Sequence, residues 1–262
     1  MKFSFSNIGW NPEDDEHIYN LMNENGFEGV EIAPTRIFSE KPYENLTIAA
    51  EWSRDLKQKN GLIIPSMQSI WFGRTEKLFG SDEDREILLN YTKKAIDFAE
   101  TIGCGNLVFG CPKNRSVPEG GDMGAAVNFF KELGEYAYNH NNVIAMEANP
   151  PIYNTNFINT TKDAIDLIEK VNSKGFLLNL DVGTMIVNNE NIDILNGKGH
   201  LINHIHISEP ELKPIQERVL HEELADFLNK IKYQRFISVE VGRQDDISNI
   251  EKMMKYTKKI FE

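Results

Sequence analysis

The chain has 262 residues, of which 28 are Lys or Arg and 40 are Asp or Glu, so its formal net charge is −12. An acidic surface of this kind repels nucleic acid phosphates and anionic lipid, and we therefore expect neither nucleic acid nor a membrane as partner. Hydrophobic residues make up 40% of the chain, as in ordinary soluble proteins, and no run approaches the roughly 18 to 20 apolar residues of a membrane span.

Eight short apolar runs, rich in β-branched residues, follow one another along the chain and predict buried parallel strands. Their starts are separated by about the length of a strand and a helix. The predicted strands are residues 3–6, 29–33, 62–67, 106–110, 143–147, 176–181, 202–207 and 236–241.

Amphipathic segments between these runs predict helices. Residues 13–25 place apolar side chains on one face, and Ser81 is followed by three acidic residues that suit a helix N-terminus. That second helix ends at Gly103, and further helices begin at Thr161 and span 222–231 and 246–260.

The repeated strand-then-helix unit predicts a (β/α)8 TIM barrel, in a single domain that covers residues 1–262. A doubly wound open sheet is the alternative fold. That fold normally has a glycine-rich turn after its first strand, and residues 6–10 (SNIGW) do not form one.

Polar side chains close four of the apolar runs, and they are Glu147, Asp181, His206 and Glu240. The carboxyl ends of barrel strands are where α/β folds carry their chemistry. Alternation along the strands points these residues into the barrel, with His204 one layer below His206 as a hydrogen-bonded core histidine. Each residue alone could cap a strand or pair with a Lys or Arg. Four at matching points favour a shared metal site.

Three carboxylates in one barrel mouth would repel one another, and one divalent cation would relieve that repulsion. Oxygen-rich coordination with one imidazole favours Mn²⁺, with Mg²⁺, Co²⁺ or Zn²⁺ as alternatives. Such a metal can polarise a carbonyl and stabilise an enediolate. Glu147 and Glu240 lie three strands apart in an eight-strand ring, so we expect them to exchange a proton on the carbon beside that carbonyl.

Loops after the strands supply candidate substrate contacts, because this face of a barrel normally builds the pocket. Four of the candidates are cationic, which favours an anionic or phosphorylated sugar as strongly as it favours solvated surface charges. The candidates are Trp10, Gln68, Lys113, Arg115, Glu209, Lys213 and Arg243.

The chain resembles the xylose isomerase-like TIM-barrel superfamily, and within it the sugar isomerases and epimerases similar to D-tagatose 3-epimerase. The resemblance extends over essentially the whole chain. Its motifs are GFEGVEI at 26–32, MEANP at 146–150, NTNFINT at 154–160, LDVG at 180–183, HIHI at 204–207 and VEV at 239–241.

The resemblance implies one divalent metal held by Glu147, Asp181, His206 and Glu240, with the two glutamates as the acid–base pair. It implies an aldose–ketose isomerase or a ketose epimerase that acts on a small sugar or sugar phosphate, as a homodimer or homotetramer. Thr184 stands where members of the family usually have a histidine. Leu212 likewise replaces an arginine that epimerases of this type carry, so we expect different substrate contacts.

Two alternative functions are compatible with the same residues, and a third, a nuclease, is less so. Elimination after proton abstraction would make the protein a lyase or dehydratase, and a barrel without turnover would only bind a sugar. A nuclease similar to endonuclease IV would need extra histidines near Gln68, Cys111 and Thr184, which are absent, and its substrate would be repelled by the acidic surface.

The chain contains two cysteines, Cys104 and Cys111, which would allow one disulfide. So few thiols fit a reducing compartment better, and we interpret both as core or loop residues. Since the N-terminus lacks a basic segment followed by a long apolar one, we expect no signal peptide and a cytoplasmic protein.

Overall fold

A computed structural model describes residues 1–262 and contains eight parallel strands in one sheet. The strands are β1 (Lys2–Ser6), β2 (Gly29–Glu31), β3 (Ser66–Met67), β4 (Asn106–Phe109), β5 (Val143–Glu147), β6 (Phe176–Asp181), β7 (Ile202–Ile207) and β8 (Phe236–Val239).

The sheet closes into a barrel. Strand β1 pairs with both β2 and β8, and each of the strands from β8 back to β3 pairs with the next. Single bridges from Gly29 to Ile63 and from Ile32 to Met67 join β2 to β3 and complete the ring. The predicted single-domain (β/α)8 TIM barrel is therefore confirmed, and the open sheet is excluded because it would have two unpaired edges.

Nine α-helices surround the strands. They are α1 (Asp15–Glu24), α2 (Pro34–Ile37), α3 (Leu46–Asn60), α4 (Asp82–Ile102), α5 (Met123–Asn139), α6 (Thr161–Val171), α7 (Val182–Val187), α8 (Val219–Lys230) and α9 (Ile247–Phe261).

Side-chain caps set several of the helix starts. The Ser81 hydroxyl accepts from the Asp84 N–H at the start of α4, as its position in the sequence predicts. Thr160 and Asp163 form a reciprocal capping box at the start of α6. Helix α4 ends at Gly103, whose φ of 72° is the left-handed conformation that glycine adopts most easily.

Helices α3 and α5 lie outside the segments that the apolar pattern predicts. Helix α3 buries only Ala49 and Leu56, so its periodicity is weak. Helix α5 contains Gly134, which normally disfavours a helix, but this glycine lets the helix approach the start of β6. A Cβ on Gly175 would lie 2.0 Å from the Gly134 carbonyl oxygen, so the close contact requires glycine there.

Strand β3 is shorter than predicted, because the regular ladder spans only Ser66–Met67 instead of 62–67. Pro65 has no N–H to donate to a ladder, which explains the interruption. Its ring packs against β2, where a Cβ on Gly29 would lie 2.8 Å from the Pro65 Cδ.

None of the helices combines the length and the apolar character needed to cross a bilayer.

Candidate functional site

The four side chains predicted to bind metal come together at the carboxyl end of the barrel. One ligand atom from each of Glu147, Asp181, His206 and Glu240 lies within 4.8 Å of all the others. The strand register explains this meeting, since Asp181 pairs with His206 across β6 and β7, and His206 pairs with Ser238, two residues before Glu240. Residues two apart on a strand point the same way, so all four face the barrel axis.

The ring of His206 is fully buried at the centre of this group. Its Nδ1 lies 2.9 Å from Glu147 Oε1 and 3.3 Å from Glu240 Oε2, yet it makes no hydrogen bond with either carboxylate. A buried nitrogen without a hydrogen bond, aimed between two carboxylates, has the position of a metal ligand. These residues therefore fit a divalent cation.

Glu31, at the end of β2, is a site residue that the sequence analysis did not assign. It is completely buried, and its Oε2 accepts a hydrogen bond from His206 Nε2 at 2.9 Å. His204 Nε2 lies 3.1 Å from the same oxygen, and Gln68 Nε2 donates to Oε1 at 3.2 Å. A carboxylate that accepts from the far nitrogen of a histidine fixes its tautomer and directs Nδ1 toward the metal position.

A sequence signal for Glu31 exists. It closes the apolar run of β2 in the GFEGVEI motif, as the four predicted ligands close theirs. Burial alone would raise the pKa of Glu31, but the charge of His206, its hydrogen bond and the nearby imidazole of His204 hold this pKa well below its usual value. Glu31 therefore stays ionised beneath the metal position.

The remaining carboxylates experience the repulsion that the sequence predicts. Burial, followed by the charges of Glu147 and Glu240, raises the pKa of Asp181 to about 7. Burial also raises the pKa of Glu240. Although burial opposes it, the charges of Glu31 and Glu240 raise the pKa of His206 well above its usual value. A divalent cation would remove this conflict by satisfying the three carboxylates together.

Both oxygens of the Glu147 carboxylate accept hydrogen bonds from asparagine amides. Asn179 Nδ2 donates to its Oε1 at 2.7 Å, and Asn149 Nδ2 donates to its Oε2 at 3.1 Å. A Cβ on Gly110 would lie 2.8 Å from Oε2, so the β4 backbone can approach this carboxylate only because residue 110 is glycine. Neither asparagine was assigned to the site from sequence.

Two of the predicted substrate contacts are bound to protein instead. Arg115 is fully buried and its guanidinium donates to Asn149 Oδ1 at 2.8 Å. Glu209 is buried and forms an ion pair with Arg218, whose Nε donates to Glu209 Oε1 at 2.7 Å. Both side chains lie near the site, and each has a protein partner.

Trp10 and Gln68 are also enclosed. The Trp10 indole N–H donates to Asp15 Oδ1 at 2.7 Å, and only 2% of the residue is exposed. Gln68 donates to Ser6 Oγ at 2.7 Å as well as to Glu31. Gln68 is therefore joined to the candidate metal site through Glu31, which contacts His206.

The other three predicted contacts are exposed at the rim. Lys113 lines a cavity of about 480 Å³ between the loops after β3 and β4, beside Phe72, and a cavity of this size can hold a monosaccharide. The Lys213 ammonium is paired with Glu211 at 2.5 Å. Arg243 donates to Asn11 Oδ1 at 3.3 Å.

Tyr153 is a second residue that the sequence analysis missed. Its hydroxyl accepts from the Glu211 N–H at 2.9 Å and so links the loop after β5 to the loop after β7. Burial and the charges of Asp181, Glu240 and Glu147 raise the pKa of this phenol. Local sequence carries no signal for this residue, because the two loops are far apart along the chain.

Thr184 and Leu212 are the two positions at which the sequence departs from the pattern of the family it resembles. The Thr184 hydroxyl donates to the Ala148 carbonyl oxygen at 2.7 Å and is buried. Glu211 and Leu212 are consecutive residues in the left-handed conformation, with φ of 60° and 55° respectively.

Both cysteines, Cys104 and Cys111, are free, and burial raises the pKa of each thiol to about 12.

The structure is thus a closed eight-stranded α/β barrel with a cluster of carboxylates and a histidine at the carboxyl ends of its strands. The family model of the xylose isomerase-like TIM barrel matches residues 20–260, and the chain belongs to this family. No curated protein sequence matches the chain.

Solved structures share the fold at low sequence identity. D-psicose 3-epimerase from Clostridium cellulolyticum H10, crystallised with D-tagatose, superposes with a TM-score of 0.81 at 15% identity over 100% of both chains. The 3-keto-D-glucoside 4-epimerase YcjR from E. coli has a TM-score of 0.78 at 19% identity over 99% of both chains. The IOLI protein with a bound zinc atom has a TM-score of 0.72 at 18% identity over 100% of this chain and 95% of that chain.

Proposed function

We propose that this protein is a divalent-metal-dependent isomerase or epimerase of a sugar or sugar phosphate. The observation that carries the proposal is the placement of Glu147 and Glu240 on either side of His206 Nδ1, at 2.9 Å and 3.3 Å. Glu147, Asp181, His206 and Glu240 would hold the cation, and their oxygen-rich set suits Mn²⁺, with Mg²⁺, Co²⁺ or Zn²⁺ as alternatives. When bound, this cation supplies positive charge that polarises a substrate carbonyl.

Glu147 and Glu240 would move the proton. One glutamate removes a proton from the carbon next to the substrate carbonyl and becomes a carboxylic acid. Return of a proton to the opposite face of that carbon inverts its configuration. Return of the proton to the former carbonyl carbon moves the carbonyl, provided that the proton of the adjacent hydroxyl passes to the former carbonyl oxygen. Two carboxylates that contact the same bound substrate meet the geometric requirement for either reaction.

The rim residues would bind the substrate. Lys113 faces a cavity large enough for a monosaccharide, and the phenol of Tyr153 has a proton free to donate, since its oxygen accepts from Glu211. Lys213 and Arg243 add cationic groups that suit an anionic sugar. The psicose and keto-glucoside epimerases among the structural neighbours favour this reaction over elimination or binding without turnover.

A first experiment measures bound metal by elemental mass spectrometry, before and after reconstitution. We expect about one equivalent in the wild type and much less in His206→Ala and Glu240→Gln. His200→Ala, which changes an exposed histidine, is the matched control and should keep its metal. Absence of metal from the reconstituted wild type would refute the proposed metal site.

A second experiment follows deuterium from solvent into candidate ketoses by NMR. An isomerase or epimerase exchanges the hydrogen on the carbon beside the carbonyl, and the Glu240→Gln variant should lose this exchange. A protein that only binds sugar would bind the ketose without exchange. A lyase would instead release an unsaturated product, which the same spectra would reveal.

A further inference from the structure

The guanidinium of Arg115 is fully buried and has no carboxylate partner. It donates to Asn149 Oδ1 at 2.8 Å and to Met146 Sδ at 3.2 Å, and more weakly to the Phe109 and Ile158 carbonyl oxygens, each at 3.5 Å, while its Nε has no hydrogen bond. Burial lowers its pKa to about 10, so the group keeps its charge at neutral pH. Burying an unpaired charge is costly, and a neutral side chain would fill the same space at lower cost. The hydrogen bond to Asn149 is the shortest that this guanidinium makes.

That contact determines how the Asn149 amide is oriented. A guanidinium can only donate hydrogen bonds, so Asn149 must turn its oxygen toward Arg115. The amide NH₂ group then faces the opposite way, where Nδ2 donates to Glu147 Oε2 at 3.1 Å. Arg115 thus selects which end of the amide meets Glu147.

The result is an asymmetry between the two glutamates. Both oxygens of Glu147 accept from asparagine amides, Asn179 on one side and Asn149 on the other. No asparagine or glutamine donates to Glu240, whose near neighbour is His206 Nδ1 at 3.3 Å. Two amide donors therefore hold Glu147 in one orientation, whereas no such donor holds Glu240.

We propose that Arg115, acting through Asn149, is a positioning residue that holds the Glu147 carboxylate oriented toward the metal and the reacting carbon. This inference rests on the proposed function and reassigns Arg115 from substrate contact to internal support. It assigns Glu147 as the carboxylate of the pair that the amides hold in place.

The decisive variant is Asn149→Asp. It keeps an oxygen for Arg115 and gives that buried cation a carboxylate partner, so the metal-free protein should unfold at an equal or higher temperature. It also removes the donor to Glu147 and places a negative charge beside it. We expect metal affinity and kcat to fall about 10- to 100-fold, with little change in KM.

Two further variants and a control complete the test. Arg115→Met removes the charge that orients the amide and should lower metal affinity and kcat, whereas Arg115→Lys should recover part of the loss. Asn156→Asp is the matched control, because Asn156 is exposed and bonds only to the Val117 backbone. It should behave as wild type.

A crystal structure of metal-free Asn149→Asp separates this inference from the proposed function. We expect the Glu147 carboxylate to turn away from residue 149. An unmoved Glu147, with metal affinity and kcat within about twofold of wild type, would overturn the positioning role and leave the proposed function standing. A wild type without metal would overturn the proposed function, while the orientation of Glu147 would still decide the role of Arg115.

Discussion

Replacing Asp181 with asparagine should stabilise the metal-free protein while it abolishes metal binding. Burial and the charges of Glu147 and Glu240 raise the pKa of Asp181 from 3.8 to about 7. The folded state therefore binds this proton more tightly than the unfolded chain does. The stabilising effect of the raised pKa is present below about pH 4 and is lost as the pH rises to 7. Above pH 7, ionised Asp181 destabilises the metal-free fold.

The size of this effect follows from the pKa difference. A shift from 3.8 to about 7 corresponds to roughly 4 kcal/mol, and we expect on the order of 2–4 kcal/mol because part of the repulsion between Glu147 and Glu240 remains. For a chain of this length, that is a rise of about 5–10 °C in Tm at pH 8. Asparagine keeps the oxygen that accepts from the Thr184 N–H at 2.5 Å, so the start of α7 stays capped.

The assay is thermal unfolding with chelator at pH 8 and at pH 5, and again with Mn²⁺. The increase in Tm that Asp181→Asn produces at pH 8 should shrink to about a third at pH 5, because the Asp181 carboxyl of the folded wild type is protonated there. With Mn²⁺ the wild type should have the higher Tm of the two proteins, because only the wild type is stabilised by binding the metal. Asp226→Asn, an exposed change on α8, is the control. An unchanged or lower Tm at pH 8, or an equal gain at both pH values, would refute the reasoning.

Three further predictions test other parts of the structure. Glu31→Gln removes the charge that orients His206 and should weaken metal binding about 10- to 100-fold by calorimetry, whereas Glu28→Gln on the surface should not. Tyr153→Phe should lower kcat/KM about 10-fold with a nearly unchanged Tm, and equal kinetics would exclude the phenol as a substrate contact. Burial lowers the pKa of His221 to about 4, so the folded state excludes the proton that the unfolded chain binds below pH 6.5. The free energy of unfolding of the wild type should fall by on the order of 3 kcal/mol between pH 7 and pH 4, and that of His221→Gln should fall by less. Parallel pH profiles of the two proteins in urea unfolding would contradict this.

The barrel and its four candidate metal ligands could be predicted because their signals are local. Asp181 and Glu240 each follow a short apolar run directly, and a residue at the end of a buried parallel strand must lie at the same edge as its counterparts. Glu31 carries the same local signal at the end of β2. Its assignment needed only the same rule applied to one more strand.

The partners of the loop residues could not be predicted in this way. Arg115 and Asn149 are 34 residues apart and Glu31 and His206 are 175 apart, so no sequence periodicity connects either pair. Arg115 follows its strand as closely as a substrate contact would, and only the tertiary structure shows that its side chain is completely buried.

The amino-acid sequence by itself determined the repeated strand–helix unit, the barrel and the inward direction of the strand-end carboxylates, because alternation and apolar runs act over a few residues. Only the tertiary structure decided which amides hold Glu147, which histidine nitrogen faces the candidate metal site, and which of the loop cations are buried and which are exposed. Those outcomes depend on distances between loops that meet only when the ring closes, and on burial, which no local pattern specifies.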